Sequence, residues 1–139
     1  DVDTAVLAQA KSGTYPLDQL RGVPPDLLHK WFLKGVGPKK GLARVHPALR
    51  EMITFQQINF MDASWPIRSR LDLIVCRNVL IYFDYPTQNR IIRRFHDLLS
   101  DQGILMLGHS ENTLDADSLF ERLGRTIYKR KAQNTARVP

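Results

Sequence analysis

LDLIVCRNVLIYFD, residues 71–84, is the stretch on which the fold of this chain turns. Leu71, Leu73, Ile74 and Val75 make a short apolar run with β-branched residues, the pattern of a strand covered on both faces. Cys76-Arg77-Asn78 follow at once, then Tyr82 and Asp84. Arg77 brings a fixed cation with a planar fork of donors, and Asn78 brings both a donor and an acceptor. In an open α/β sheet, ligands bind beyond the carboxyl ends of the strands. A polar cluster at that position marks a candidate site. A second reading, in which Arg77 and Asn78 only satisfy backbone groups in a strand-to-helix loop, fits the pattern equally well.

Downstream, residues 86–100 read as an amphipathic helix, with Ile91, Ile92, Phe95, Leu98 and Leu99 at helical spacing. Asp101-Gln102-Gly103 ends it and Ile104–Leu107 is the next strand. Gly108-His109-Ser110-Glu111 then closes that strand with a second polar loop on the same sheet edge. Leu119–Leu123 and Thr126–Tyr128 read as a final hairpin that finishes the sheet antiparallel. Upstream, DTAVLAQAKSG is a helix with Asp3 or Thr4 as cap and Gly13 at its end. Leu17–Leu20 is a short helical turn, and Pro24-Pro25 opens another helix. WFLKG and LARVH are short strands around the turn VGPKKG, Pro47 starts a helical turn, and Ile53–Ile58 is a strand.

The resulting fold class is α/β. Residues 27–58 form a small antiparallel β-subdomain inserted between residues 1–26 and 59–131, and residues 132–139 are a flexible tail. A length of 139 residues suits one domain, and 43% hydrophobic with 24% charged residues is ordinary globular composition. No apolar run approaches the roughly 20 residues that span a bilayer, and no charged-then-apolar leader opens the chain. A single cysteine excludes an intramolecular disulfide and fits a reducing cytoplasm. At the end of a buried strand, Cys76 reads as a small packing residue, with a reactive thiol as the alternative.

Net charge is +6, from 20 Lys+Arg against 14 Asp+Glu. The clusters Lys39-Lys40, Arg93-Arg94 and Lys129-Arg130-Lys131 build no single stripe, so the surface reads as solvated rather than as a nucleic-acid face. His29, His46 and His96 are isolated, and no Cys/His cluster has metal spacing, so no metal is expected. His109, Ser110 and Glu111 resemble a catalytic set, but adjacent loop residues cannot form the geometry of a nucleophile, base and orienting acid.

The string CRNVLIYFD, then a helix, then LMLGHSE at 105–111, closely resembles the CheR-type chemotaxis receptor methyltransferases. The resemblance runs from Asp1 to about Lys131. It implies a partial doubly wound, Rossmann-like sheet that binds S-adenosylmethionine, with the small β-subdomain beside it. It implies methyl transfer to glutamate side chains on the cytoplasmic helices of chemotaxis receptors, with S-adenosylhomocysteine as product, in the bacterial cytoplasm. By position, Asp1 matches the acidic residue at the ribose hydroxyls, and Asn59-Phe60 matches an Asn-apolar pair at the adenine. Arg77 and Asn78 match residues that line the cofactor pocket, and Tyr82 matches a tyrosine near the methyl group and the incoming carboxylate. GHSE at 108–111 matches a structural loop beside the site. In some members the β-subdomain pairs with a peptide at the receptor's C-terminus; a structural flap is the alternative here.

The same resemblance sets an expectation about what is missing. No first strand with a glycine-rich turn stands in this sequence, and Gly35/Gly37/Gly41 precede no helix. The expectation is therefore a fragment that starts at the end of the second strand, lacks part of the cofactor pocket and is inactive in isolation. Half a doubly wound sheet would also expose an unpaired apolar edge. A non-catalytic receptor-docking or regulatory module on the same fold is the competing functional reading. Charge-driven nucleic-acid binding, with its steep salt dependence, is the third.

Overall fold

The apolar run at 71–76 does form a strand, and its neighbours explain why. In the computed structural model, which describes residues 1–111 and 116–132, β4 (Leu71–Cys76) pairs in parallel with β5 (Leu99–Leu107). The register sets Leu73 against Ile104 and Cys76 against Leu107. A parallel pair needs a crossover, and α4 (Tyr85–Leu98) supplies it. β5 pairs antiparallel with β7 (Ile127–Arg130), and β7 pairs antiparallel with β6 (Phe120–Arg122). The strand order is β4-β5-β7-β6. Helix α5 (Ala116–Leu119) leads into β6. The hairpin and the mixed sheet expected from the sequence are both present. The expected tail lies, except for Ala132, outside the described residues.

Two details differ from the sequence reading. β4 is covered on one face only: Ile74 and Cys76 are buried, whereas Leu73 is 51% exposed and Val75 58% exposed. It is an edge strand of this sheet, and its outward-facing residues meet no second layer among the described residues. Asp101-Gln102-Gly103 does not separate helix from strand. The chain turns extended at Leu99 (φ −74°, ψ 145°) because Leu99 already pairs with Leu71.

The core of this second unit, Ile67–Pro139, is built from the buried face of α4 against the sheet. Ile91, Ile92 and Phe95 recur along one helix face and are buried with Leu80, Leu99, Leu105, Phe120 and Tyr128. Asp84 caps α4 by accepting the Thr87 N–H at 3.0 Å. His96 is buried in the same core, edge-on to Phe120 with ring centroids 5.5 Å apart, and its Nε2 lies 3.1 Å from the Lys131 carbonyl. That contact pins the end of β7 to the helix.

The first unit, Asp1–Pro66, contains the small sheet. Helix α1 (Thr4–Ser12) is capped by Asp3, whose Oδ1 accepts from Ala5 N and Val6 N at 2.7 and 3.2 Å. It stops at Gly13, whose left-handed backbone (φ 62°) ends a helix without a Cβ clash. Helix α2 (Pro25–Trp31) starts after Pro24. β1 (Thr14–Pro16), β2 (Phe32–Lys34) and β3 (Leu42–Val45) form an antiparallel sheet in the order β1-β3-β2. The hairpin of β2 and β3 follows the sequence reading. β1, from the far side of residue 26, is an addition that a three-residue run containing proline does not advertise. A one-turn helix, α3 (Pro47–Arg50), follows.

The strand expected at Ile53–Ile58 is not formed; residues 53–59 carry no regular structure. A strand requires a ladder partner, and here the bonds are isolated. Ile58 N donates to the Asp1 carbonyl at 3.1 Å, and Gln57 Nε2 donates to the Val2 carbonyl at 2.9 Å. β-branched and aromatic composition alone does not make a strand without that partner.

Candidate functional site

The structure gathers the sequence-predicted residues into two groups, one in each unit. In the first unit, the bond from Ile58 N to the Asp1 carbonyl brings Asp1 beside the segment that ends in Asn59-Phe60. The Asp1 carboxylate accepts the Asp3 N–H through Oδ1 at 2.9 Å. Its other oxygen makes no protein hydrogen bond among the described residues, so one oxygen is oriented by the backbone and the other faces outward. Asn59 folds its own chain into a tight turn: Met61 N donates to its Oδ1 at 2.9 Å, and Asp62 N to its carbonyl at 3.1 Å. This is the local side-chain-to-backbone bond that asparagine favours in turns. It leaves the exposed amide NH₂ of Asn59 as a donor.

Trp65 belongs to this corner, and the sequence reading missed it. Its indole Nε1 donates to the Asn59 carbonyl at 3.1 Å, and its ring lies against Phe60 with centroids 5.0 Å apart. The available signal was an aromatic six residues beyond the asparagine, just before Pro66.

In the second unit, Arg77, Asn78 and Tyr82 follow the carboxyl end of β4. All three are exposed, and Tyr82 is 81% exposed. Among the described residues the Arg77 side chain makes no hydrogen bond. Asn78 has φ 59°, the only positive φ outside glycine among the described residues. Tyr82 ends a 3₁₀ turn, Leu80–Tyr82, whose Leu80 is completely buried. Gln88 of α4 ties this turn down by donating to the carbonyls of Leu80 and Phe83 at 3.0 and 2.9 Å. An apolar anchor below and backbone bonds around it thus present three polar side chains outward.

Glu111 also reaches this loop. It is 5% exposed, and its carboxylate accepts three backbone N–H groups: Val79 at 2.7 Å and Leu80 at 2.8 Å on Oε1, and Gly108 at 2.7 Å on Oε2. The GHSE loop at the end of β5 is therefore fastened to the loop at the end of β4, as their parallel register allows. Cys76 sits beneath. Its thiol is pushed up to about 12, first by burial and then by the negative charge of Glu111. That makes it a packing residue rather than a nucleophile. Neighbouring Asp84 is held below the usual carboxylate range by hydrogen bonds from the Thr87 side chain and backbone, with help from Arg90.

The first unit also holds a cavity of about 270 Å³ against the small sheet, lined by Leu17, Leu28, His29, Phe32, Lys34 and Ala43. Among the described residues no cluster of His, Cys, Asp and Glu could hold a metal ion. Among the described residues no helix is long and apolar enough to cross a membrane.

Comparison with known proteins bears on the chain as a whole. Residues 1–129 match the family described as CheR methyltransferase, SAM binding domain. The chain is 47% identical over 128 residues to chemotaxis protein methyltransferase 2 of Pseudomonas aeruginosa, covering 92% of this chain and 46% of that protein. It is 44% identical to the chemotaxis protein methyltransferase of Klebsiella aerogenes, over 92% of this chain and 44% of the relative. For the Escherichia coli chemotaxis protein methyltransferase the identity is 41%, over 92% of this chain and 45% of the relative. The chain thus spans less than half the length of these curated relatives.

Proposed function

The chain belongs to the CheR methyltransferase family, in its S-adenosylmethionine-binding domain, and from that premise we propose that the protein it represents forms glutamyl methyl esters on chemotaxis receptors. The observation that carries the proposal is the exposed Arg77-Asn78-Tyr82 set, held beyond the carboxyl ends of two parallel strands by Leu80, Gln88 and Glu111. A rigid backbone with outward polar side chains at that place is what ligand binding in a doubly wound fold requires.

The residues suit the cofactor's parts. The outward oxygen of Asp1 can accept from ribose hydroxyls. The free amide NH₂ of Asn59 can donate to an adenine nitrogen, beside the Phe60 ring. In the second unit, the Arg77 guanidinium matches a carboxylate such as the amino-acid end of the cofactor, and Asn78 adds a donor and an acceptor. When bound, S-adenosylmethionine supplies a methyl group on a positively charged sulfur. The acceptor glutamate is already ionised near neutral pH, so no residue has to remove a proton. Tyr82 orients the incoming carboxylate through its hydroxyl, and the transfer depends on alignment and exclusion of water.

The partners follow from the same reading. The acceptors are glutamates on the cytoplasmic helices of a chemotaxis receptor, in the bacterial cytoplasm. A net charge of +6 favours approach to a glutamate-rich surface. The small sheet and its adjoining cavity suit a peptide from the receptor's C-terminus, added as an extra strand. Calorimetric titration of S-adenosylhomocysteine into the full gene product tests the cofactor assignment. Micromolar binding that Asp1→Ala or Arg77→Ala abolishes supports it. A folded full-length protein that binds none refutes it and leaves a receptor-docking module.

A further inference from the structure

Glu111 takes no part in the chemistry above, yet it is the most heavily committed polar side chain near the loop. A carboxylate at 5% exposure has to find hydrogen bonds to stay there. Glu111 finds three, all from backbone N–H groups at 2.7 to 2.8 Å. Two come from Val79 and Leu80, directly after Arg77-Asn78; the third comes from Gly108, at the end of the adjacent strand. Asn78 meanwhile sits at φ 59°, a left-handed conformation that asparagine tolerates better than most residues but that still carries a modest cost. Gly108 shows how tight the junction is. A Cβ there would lie 2.6 Å from Glu111 Oε2 and 3.3 Å from both the backbone N and the Oδ1 of Asn78. Arg77 is exposed and its side chain makes no hydrogen bond among the described residues, so its aim depends on this backbone alone.

We propose that Glu111 is a positioning residue for the cofactor, its carboxylate holding the Arg77-Asn78 loop in the binding-competent form. The inference rests on the reading of Arg77 and Asn78 as cofactor-binding residues. Removing the brace lowers the fraction of molecules whose loop is ready, and apparent affinity falls by that fraction. Saturating cofactor restores the loop, so the transfer step is unchanged. Glu111 therefore affects binding and not turnover.

Two variants separate this from a merely structural role. Glu111→Gln keeps the shape but replaces one acceptor oxygen with a donor, which cannot serve both sides of the junction. Gly108→Ala keeps the carboxylate and displaces it. In the full gene product, both should raise the dissociation constant for S-adenosylhomocysteine about tenfold. The turnover number on a receptor cytoplasmic fragment, at saturating S-adenosylmethionine, should stay within twofold. A lower melting temperature with unchanged affinity overturns the proposal, and so does a fall in turnover number with unchanged affinity. Should neither variant fold, hydrogen exchange on the wild type decides. The amides of Val79, Leu80 and Gly108 should gain at least tenfold protection when S-adenosylhomocysteine binds, and no gain overturns the proposal. A wild type that binds no S-adenosylhomocysteine would instead refute the cofactor assignment itself.

Discussion

Trp65 offers a graded perturbation of the corner proposed to meet the adenine. Its indole contributes two separable contacts: the 3.1 Å bond from Nε1 to the Asn59 carbonyl, and the ring contact with Phe60 at 5.0 Å. A neutral hydrogen bond is worth about 0.5–1.5 kcal/mol net, and an aromatic pair about 0.5–1.5 kcal/mol beyond its buried area. Trp65→Phe removes the first and keeps the second; Trp65→Ala removes both. Met61 N and Asp62 N still hold the Asn59 turn in either variant, so the lower half of each range applies. With tenfold in affinity per 1.4 kcal/mol, Trp65→Phe should weaken S-adenosylhomocysteine binding about two- to fivefold, and Trp65→Ala about five- to twenty-five-fold. Calorimetric titration of the full gene product measures both. A folded Trp65→Ala protein that binds within twofold of wild type would refute the assignment of this corner to the adenine.

Three further expectations follow from the second unit. Leu80→Ala empties a completely buried position beneath the loop and should cost about 2–5 kcal/mol in denaturant unfolding; a loss under about 1 kcal/mol would contradict the anchoring role. With its thiol pushed up to about 12, native Cys76 should react with Ellman's reagent at pH 8 roughly a thousandfold more slowly than the denatured chain; comparable rates would contradict its burial. The Asp84 carboxylate titrates lower in the folded chain than unfolded, so its stabilising effect is present above about pH 4 and fades as pH falls through the folded value. Asp84→Ala should therefore lower the melting temperature at pH 7, and the deficit should shrink progressively as the pH falls below about 4; a deficit that does not change with pH would contradict capping by the charged form.

Most of the second unit was legible because its signals are local. The period of Ile91, Ile92 and Phe95, the run at 71–76 and the hairpin at the end each follow from spacing within one element, and the two polar loops meet because parallel strands align their carboxyl ends. Coverage was less legible. Whether Leu73 and Val75 face a second layer depends on what packs there, which strand composition does not encode. The segment at 53–58 has the composition of a strand but no ladder partner beyond Asp1 and Val2. Of the candidate site, the sequence pointed to the exposed residues at the end of β4 and not to the groups that support them. Trp65 meets Asn59 and Phe60 through a bond and a ring contact that no local spacing announces, and Glu111 looked like one member of a loop until its three backbone donors, two of them more than thirty residues back in the chain, were in view.

The central claim is methyl-ester formation on a receptor, and one assay addresses it directly. The full gene product is incubated with a chemoreceptor cytoplasmic domain and S-adenosylmethionine labelled in its methyl group, and the receptor is then treated with alkali. The account predicts label on the receptor that alkali releases as methanol, as carboxyl methyl esters require, and a sharp loss of that label with Arg77→Ala. Label that resists alkali, or none on the receptor from a protein that binds the cofactor, would contradict it.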